Sequence, residues 1–207
     1  MPLATMAALM LLVALISGLI DETLNRLKLK GTSLALFLFA LVLLRRFEIR
    51  ISSEIAFTPA VPLLLYCVLI RCGSIDKAGT RRGLLLSVPI ALALRPALEL
   101  ADADAAVLAC CFIFALATGI LPSARSLSAR IVSAAFAPMV CVLIGLGEGL
   151  ASIGYGLFEP DAAVLDLELM LVLTAVFITE LRAFNGKIKA MDAYAGPAHN
   201  KTEAGRY

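Results

Sequence analysis

The chain has 207 residues, 61% hydrophobic and 16% charged, with one His, no Trp and a formal net charge of +2; its mean hydropathy is +0.94. A soluble domain carries about 45–50% apolar and about 25% charged residues. This composition therefore excludes an ordinary water-facing globule and names lipid as the solvent for most of the chain.

Apolar runs in lipid must satisfy their own backbone, so each long run predicts a helix of about 20 residues. The first, over 3–20, lacks a basic leader and a small-x-small cleavage site, which predicts a retained transmembrane helix rather than a signal peptide. The second, 31–46, is short before Arg45-Arg46. The loop that follows, "RRFEIRISSEIAF", alternates Phe47, Ile49 and Ile51 with Glu48, Arg50 and Ser52, the period of an extended segment. The third run, 55–71, carries Pro59 and Pro62 near its start, where a missing amide costs least. The fourth, 83–99, contains Pro89 and ends at Arg95, one helical turn from Glu99 and able to pair with it. The fifth and sixth are 105–122 and 131–149, and the seventh, 163–183, takes Asp166 and Glu168 into its first turns. Asp21-Glu22 before Arg26 closes the first run with i, i+4 pairing. The tail from 185 is polar and broken by Gly and Pro, and is expected to be disordered. A cytoplasmic tail also leaves the Asn200-Lys201-Thr202 sequon unused.

Charge orients the runs. With seven spans, fourteen of the 18 Lys and Arg fall on one side and four on the other, which puts the N-terminus outside and the tail in the cytoplasm. The acids lean the opposite way, ten outside and six inside. The excess is either what remains once bases are retained inside, or an outer mouth that concentrates cations.

The stretch Ser152-Ile153-Gly154-Tyr155-Gly156 spells something close to a potassium-channel filter. A channel would require 131–149 to cross only halfway, and then the bases divide nine to nine. The seven-span division is the sharper one, so the stretch reads as an outer glycine-rich turn. Gly145, Gly147 and Gly149 follow no strand and open no phosphate-binding helix, so no dinucleotide fingerprint is present.

Asp166 and Glu168 lie about 200° apart on a helix and cannot face one cavity together. Both are read as carboxylates at the interface, and no two-carboxylate protease is expected. Five Cys at 67, 72, 110, 111 and 141 have no metal spacing, and the single His199 sits in the tail, so the cysteines read as apolar packing residues and no zinc site is expected.

The stretch "SGLIDETLNRLKLKGTSLALFLFALVLLRRFEIRI" followed by "FTPAVPLLLYCVLI" resembles a family of uncharacterised prokaryotic multi-pass membrane proteins, a domain of unknown function. The family's Ile-Gly-Gly-x-Gly-x-Phe-Asp stretch before its final helix is similar to Ile153-Gly154-Tyr155-Gly156-Leu157-Phe158-Glu159, with Tyr for Gly and Glu for Asp. The resemblance implies a membrane bundle and no known activity.

The expected architecture is all-α: a polytopic transmembrane helix bundle of about seven spans over 1–184, with a polar cytoplasmic tail at 185–207. The expected protein is a multi-pass component of a prokaryotic inner membrane that binds or transports a small cation or solute. A non-catalytic assembly subunit of a larger membrane complex and a channel-like pore are the alternatives. The candidate functional loop comprises Glu148, Gly154, Tyr155, Gly156, Glu159, Asp161 and Asp166. No catalytic residue, cofactor or metal ligand is assigned, and enzyme activity is not expected. The bilayer is the expected partner, with other membrane proteins or further copies of the chain, and nucleic acid is not.

Overall fold

A computed structural model describes residues 3–47, 49–50, 56–98, 103–149 and 160–195. Within them every predicted apolar run contains a helix: α1 (Leu3–Ile16), α3 (Gly31–Leu44), α4 (Ala60–Ile75), α5 (Lys77–Leu98), α6 (Ala103–Ile120), α7 (Leu127–Gly149) and α8 (Pro160–Ala195). The short α2 (Asp21–Arg26) and a 3₁₀ turn at Pro122–Arg125 complete the helices. The expected extended segment is present as β1 (Ile49–Arg50) paired antiparallel with β2 (Ala56–Phe57), in the register Ile49↔Phe57 and Arg50↔Ala56.

The helix ends explain where the spans depart from expectation. The first run stops at Ile16 because Gly18, at φ +71, takes the left-handed seat of a Schellman turn. Its neighbour Leu19 donates to Ala14 O at 2.9 Å and Gly18 donates to Leu15 O at 3.3 Å. α2 ends the same way, with Lys28 at φ 48 in the glycine seat and Leu29 donating to Leu24 O at 2.9 Å. The buried Thr58 hydroxyl accepts from Ala60 N at 3.3 Å and donates to Leu44 O at 3.1 Å, so one side chain starts α4 and holds it to the end of α3.

The all-α architecture is therefore present, but the described helices do not give seven full-length spans. One stretch, Leu127–Gly145 in α7, is long and apolar enough to cross a membrane, with mean hydropathy 2.0 and 61% of it buried. The apolar parts of α1, α3, α4 and α6 are shorter, at 10–17 residues. α5 begins with Lys77, Arg81 and Arg82, and α8 carries Asp166 and Glu168. α8 also continues helically to Ala195, past 185, where the sequence suggested disorder.

The core has two lobes that share α8. One gathers Ile90 and Leu94 of α5, Phe114 of α6 and Val132 of α7 around Leu171. The other gathers Ala7 of α1, Leu41 of α3 and Leu64 of α4 around Leu165 and Leu169. A small third cluster, Ile20, Leu24 and Val176, lies under α2.

The connections sort into two ends. At one, Arg71 Nε donates to Leu27 O at 2.7 Å, Thr23 N donates to Glu180 Oε1 at 2.7 Å, and Arg182 Nη2 donates to Thr118 O at 3.3 Å. The basic groups at 26–30, 71–82, 125–130 and 182 thus share an end. At the other end lie the Thr58–Leu44 bond and the pair between Arg45 and Asp166.

Candidate functional site on α8

The residues proposed as an outer loop fare unevenly. Gly154, Tyr155, Gly156 and Glu159 lie outside the described residues, as does the filter-like stretch as a whole. Glu148 falls in the last turn of α7 and Asp161 in the first turn of α8, while their side chains lie outside what is described. α7 itself runs 23 residues, roughly 35 Å at 1.5 Å per residue, where a pore helix needs about half that. Glu99, the expected partner of Arg95, is also outside the described residues. Glu22 and Arg26 do pair, at 2.9 Å.

Asp166 is the one loop candidate whose side chain is placed. Arg45 Nη2 lies 3.0 Å from its Oδ1 and 3.1 Å from its Oδ2. Both side chains are mostly buried, at 13% and 14% exposure. A charge pair so withdrawn from water is held by its hydrogen bonds, and removing one partner strands the other. Its visible role is to fasten the end of α3 to α8.

Glu168 overturns the expectation of two interfacial carboxylates. It is 0% exposed, and neither carboxylate oxygen has a hydrogen-bond partner. The helical geometry explains the split. Val164, Leu165, Leu171 and Ala175 are buried, and at 100° per residue Glu168 falls in the middle of the arc they define. Asp166 falls almost opposite and reaches Arg45 instead. An ionised, unpartnered carboxylate in an apolar interior is among the most expensive groups a protein can bury. Among the described residues Glu168 is the one buried side chain with two unpartnered polar atoms.

A second buried polar group lies further along α7 and α8. Arg130, 2% exposed, donates from Nη1 to Thr179 Oγ1 at 2.9 Å and from Nη2 to Arg125 O at 3.1 Å, leaving Nε without a partner. Thr179 passes its own proton to Ala175 O at 2.8 Å. This network locks the base-rich end of α7 to α8 and closes the 3₁₀ turn.

The sequence reading missed both residues. In the sequence Arg130 is one more base beside an apolar run, and Glu168 stands in the first turns of its run, although its place on the apolar arc of "VLDLELMLVLTAV" is legible there. All five cysteines are free, two of them buried, and no group of three or more His, Cys, Asp and Glu among the described residues is arranged to hold a metal.

Comparison with protein-family models, with curated proteins and with solved structures gives no match to this chain. The resemblance to a multi-pass family therefore carries no functional argument here.

Proposed function

We propose that this chain is a multi-pass membrane protein of about seven spans, N-terminus outside and C-terminus cytoplasmic, that binds and passes a small cation or a proton. The observation that carries the transport reading is Glu168, buried and unpartnered on α8. Ionisable groups inside a membrane bundle are costly and mark ion or proton paths by default. A protonated carboxyl needs no fixed protein partner, and a cation that replaced the proton would have to bring water oxygens as its other ligands.

The membrane part rests on what the helices present outward. α1 and α3 are apolar all round, the pattern of a fully buried or lipid-facing helix. On α6, Leu108, Phe112, Leu116 and Ile120 are spaced by four and all exposed, up to 77%. Such a stripe in water is an interface or an aggregation surface; in a bilayer it is ordinary. Helices shorter than the roughly 30 Å hydrocarbon layer are accommodated by local thinning and by snorkelling end residues, at modest cost.

Labelling with dicyclohexylcarbodiimide, an apolar reagent for protonated carboxyls, tests the site in native vesicles. Peptide mapping should find Glu168 modified and the modification reduced by raising pH or by a bound cation. Absence of label at Glu168, with end carboxyls labelled, sinks the transport reading. For topology, reporters at 75–80 and at the C-terminus should report the same face; opposite faces break the seven-span arrangement.

The second reading, an assembly subunit, draws on the free end of α8. Leu181, Phe184, Ile188 and Met191 are exposed at alternating steps of three and four, the spacing of a helix–helix seam. Truncation after residue 180 that dissociates a purified complex while sparing carbodiimide labelling would favour it.

A further inference from the structure

On the arc of α8 adjoining Glu168, Leu169, Val172 and Val176 form one wall of an apolar crevice of about 360 Å³. Phe37 of α3 and Leu64 and Val68 of α4 face them across it. Leu64 to Arg71 on α4 and Leu169 to Val176 on α8 each rise through seven residue steps, giving a depth of roughly 10 Å. The space is a slot between helices, and pockets of this size take small apolar molecules.

Three polar residues interrupt the lining, Thr23, Ser33 and Arg71, all toward the base-rich end. Thr23 is 3% exposed and its hydroxyl has no hydrogen-bond partner, although its backbone N–H is held by Glu180. A hydroxyl withdrawn from water and left unbonded is an oddity in a finished core, and it lies on the wall of this slot. Arg71 also lines the crevice, its guanidinium donating to the carbonyls of Leu27 and Lys28. The same turn carries the exposed side chains of Lys28 and Lys30.

We infer that the crevice holds the headgroup-proximal stretch of one acyl chain of an anionic phospholipid from the cytoplasmic leaflet. The headgroup sits among Arg71, Lys28 and Lys30, and the Thr23 hydroxyl donates to a lipid oxygen. The inference rests on the membrane reading above. The apolar walls select hydrocarbon, and the basic mouth selects a negative headgroup, as basic pockets between helices do at a cytoplasmic surface. The lipid would supply the acceptor Thr23 lacks and fill the space between α4 and α8.

The test measures binding of dioleoylphosphatidylglycerol and dioleoylphosphatidylcholine to the full chain in detergent micelles, by native mass spectrometry. The wild type should bind the anionic lipid about tenfold more tightly. Val172→Trp, which fills the slot, should abolish that binding. Lys28→Gln with Lys30→Gln, both on the exposed turn, should bring the two lipids to parity without lowering the melting temperature. Equal binding of both lipids by the wild type overturns the inference, as does full anionic-lipid binding by Val172→Trp. If Val172→Trp does not fold, the double Lys variant decides: a preference it leaves intact overturns the inference. Carbonate washing of membranes separates the two levels. Release of the chain into the supernatant defeats the membrane reading itself, whereas retention with no anionic preference defeats the crevice alone.

Discussion

The two lobes that share α8 are built to different standards. On the α5–α7 side the helices are long, 22 residues in α5 and 23 in α7, and their backbones approach closely. A Cβ added at Gly83 would lie 2.7 Å from Ala129 O and 2.8 Å from Val132 Cβ. The buried hydroxyls there return their protons to their own helices: Ser87 to Leu84 O at 2.6 Å, Thr118 to Phe114 O at 2.9 Å and Ser133 to Arg130 O at 3.0 Å. On the α1–α4 side α1, α3 and α4 run 14–16 residues and α2 only six, two of their connections end in left-handed turns, and the crevice with its unbonded Thr23 hydroxyl remains. Backbone approach through small residues leaves no room for a ligand, while large aliphatic side chains on short helices leave gaps. The lesson is that α8 separates a structural lobe from one with space to bind.

The contrast can be broken by substitution, with stability measured by unfolding in detergent. Gly83→Leu should have the largest effect, a loss of about 3 kcal/mol, because the new side chain meets the α7 backbone, which cannot move aside cheaply. Survival of that variant at wild-type stability would mean the α5–α7 contact is not tight. Lys28→Gly should raise stability by about 0.5–1 kcal/mol, since glycine takes the left-handed seat without the Cβ penalty and this outweighs its extra unfolded-state entropy. The smallest effect belongs to Val68→Leu, which adds a methylene where the crevice already has space, with a change within about 0.5 kcal/mol. A loss as large as that of Gly83→Leu would show the α1–α4 lobe to be equally closed. Where α3 joins the shared α8, a double-mutant cycle on Arg45 and Asp166 should return a coupling of about 1–2 kcal/mol, because the pair is mostly shielded from water.

Much of the helical framework was legible in the sequence, for a simple reason. Long apolar runs bounded by Arg, Lys, Pro and Gly have few backbone solutions other than helix, and all seven runs contain one. The period-two alternation around Phe47–Ser52 matches the strand Ile49–Arg50, whereas its partner Ala56–Phe57 takes the first residues of the run 55–71 that hydropathy assigned to a helix. The gathering of bases at one end follows from the same alternation of runs and connections. Helix ends were less legible. Gly18 and Lys28 stop their helices through turns that depend on backbone angles, which hydropathy does not encode.

Only the tertiary structure decided what the polar residues do. Asp166 and Glu168 stand two positions apart in one apolar helix, and sequence spacing alone gave them the same status. Packing α8 between two lobes turned one toward Arg45 and buried the other without a partner. Arg130 and Thr179, 49 positions apart, meet because α7 and α8 pack together at the base-rich end. The crevice exists because six helices of unequal length meet imperfectly around it. Composition determines which solvent each surface suits, since that is a sum over residues; burial and partnership belong to pairs of distant segments and are fixed only when those segments pack.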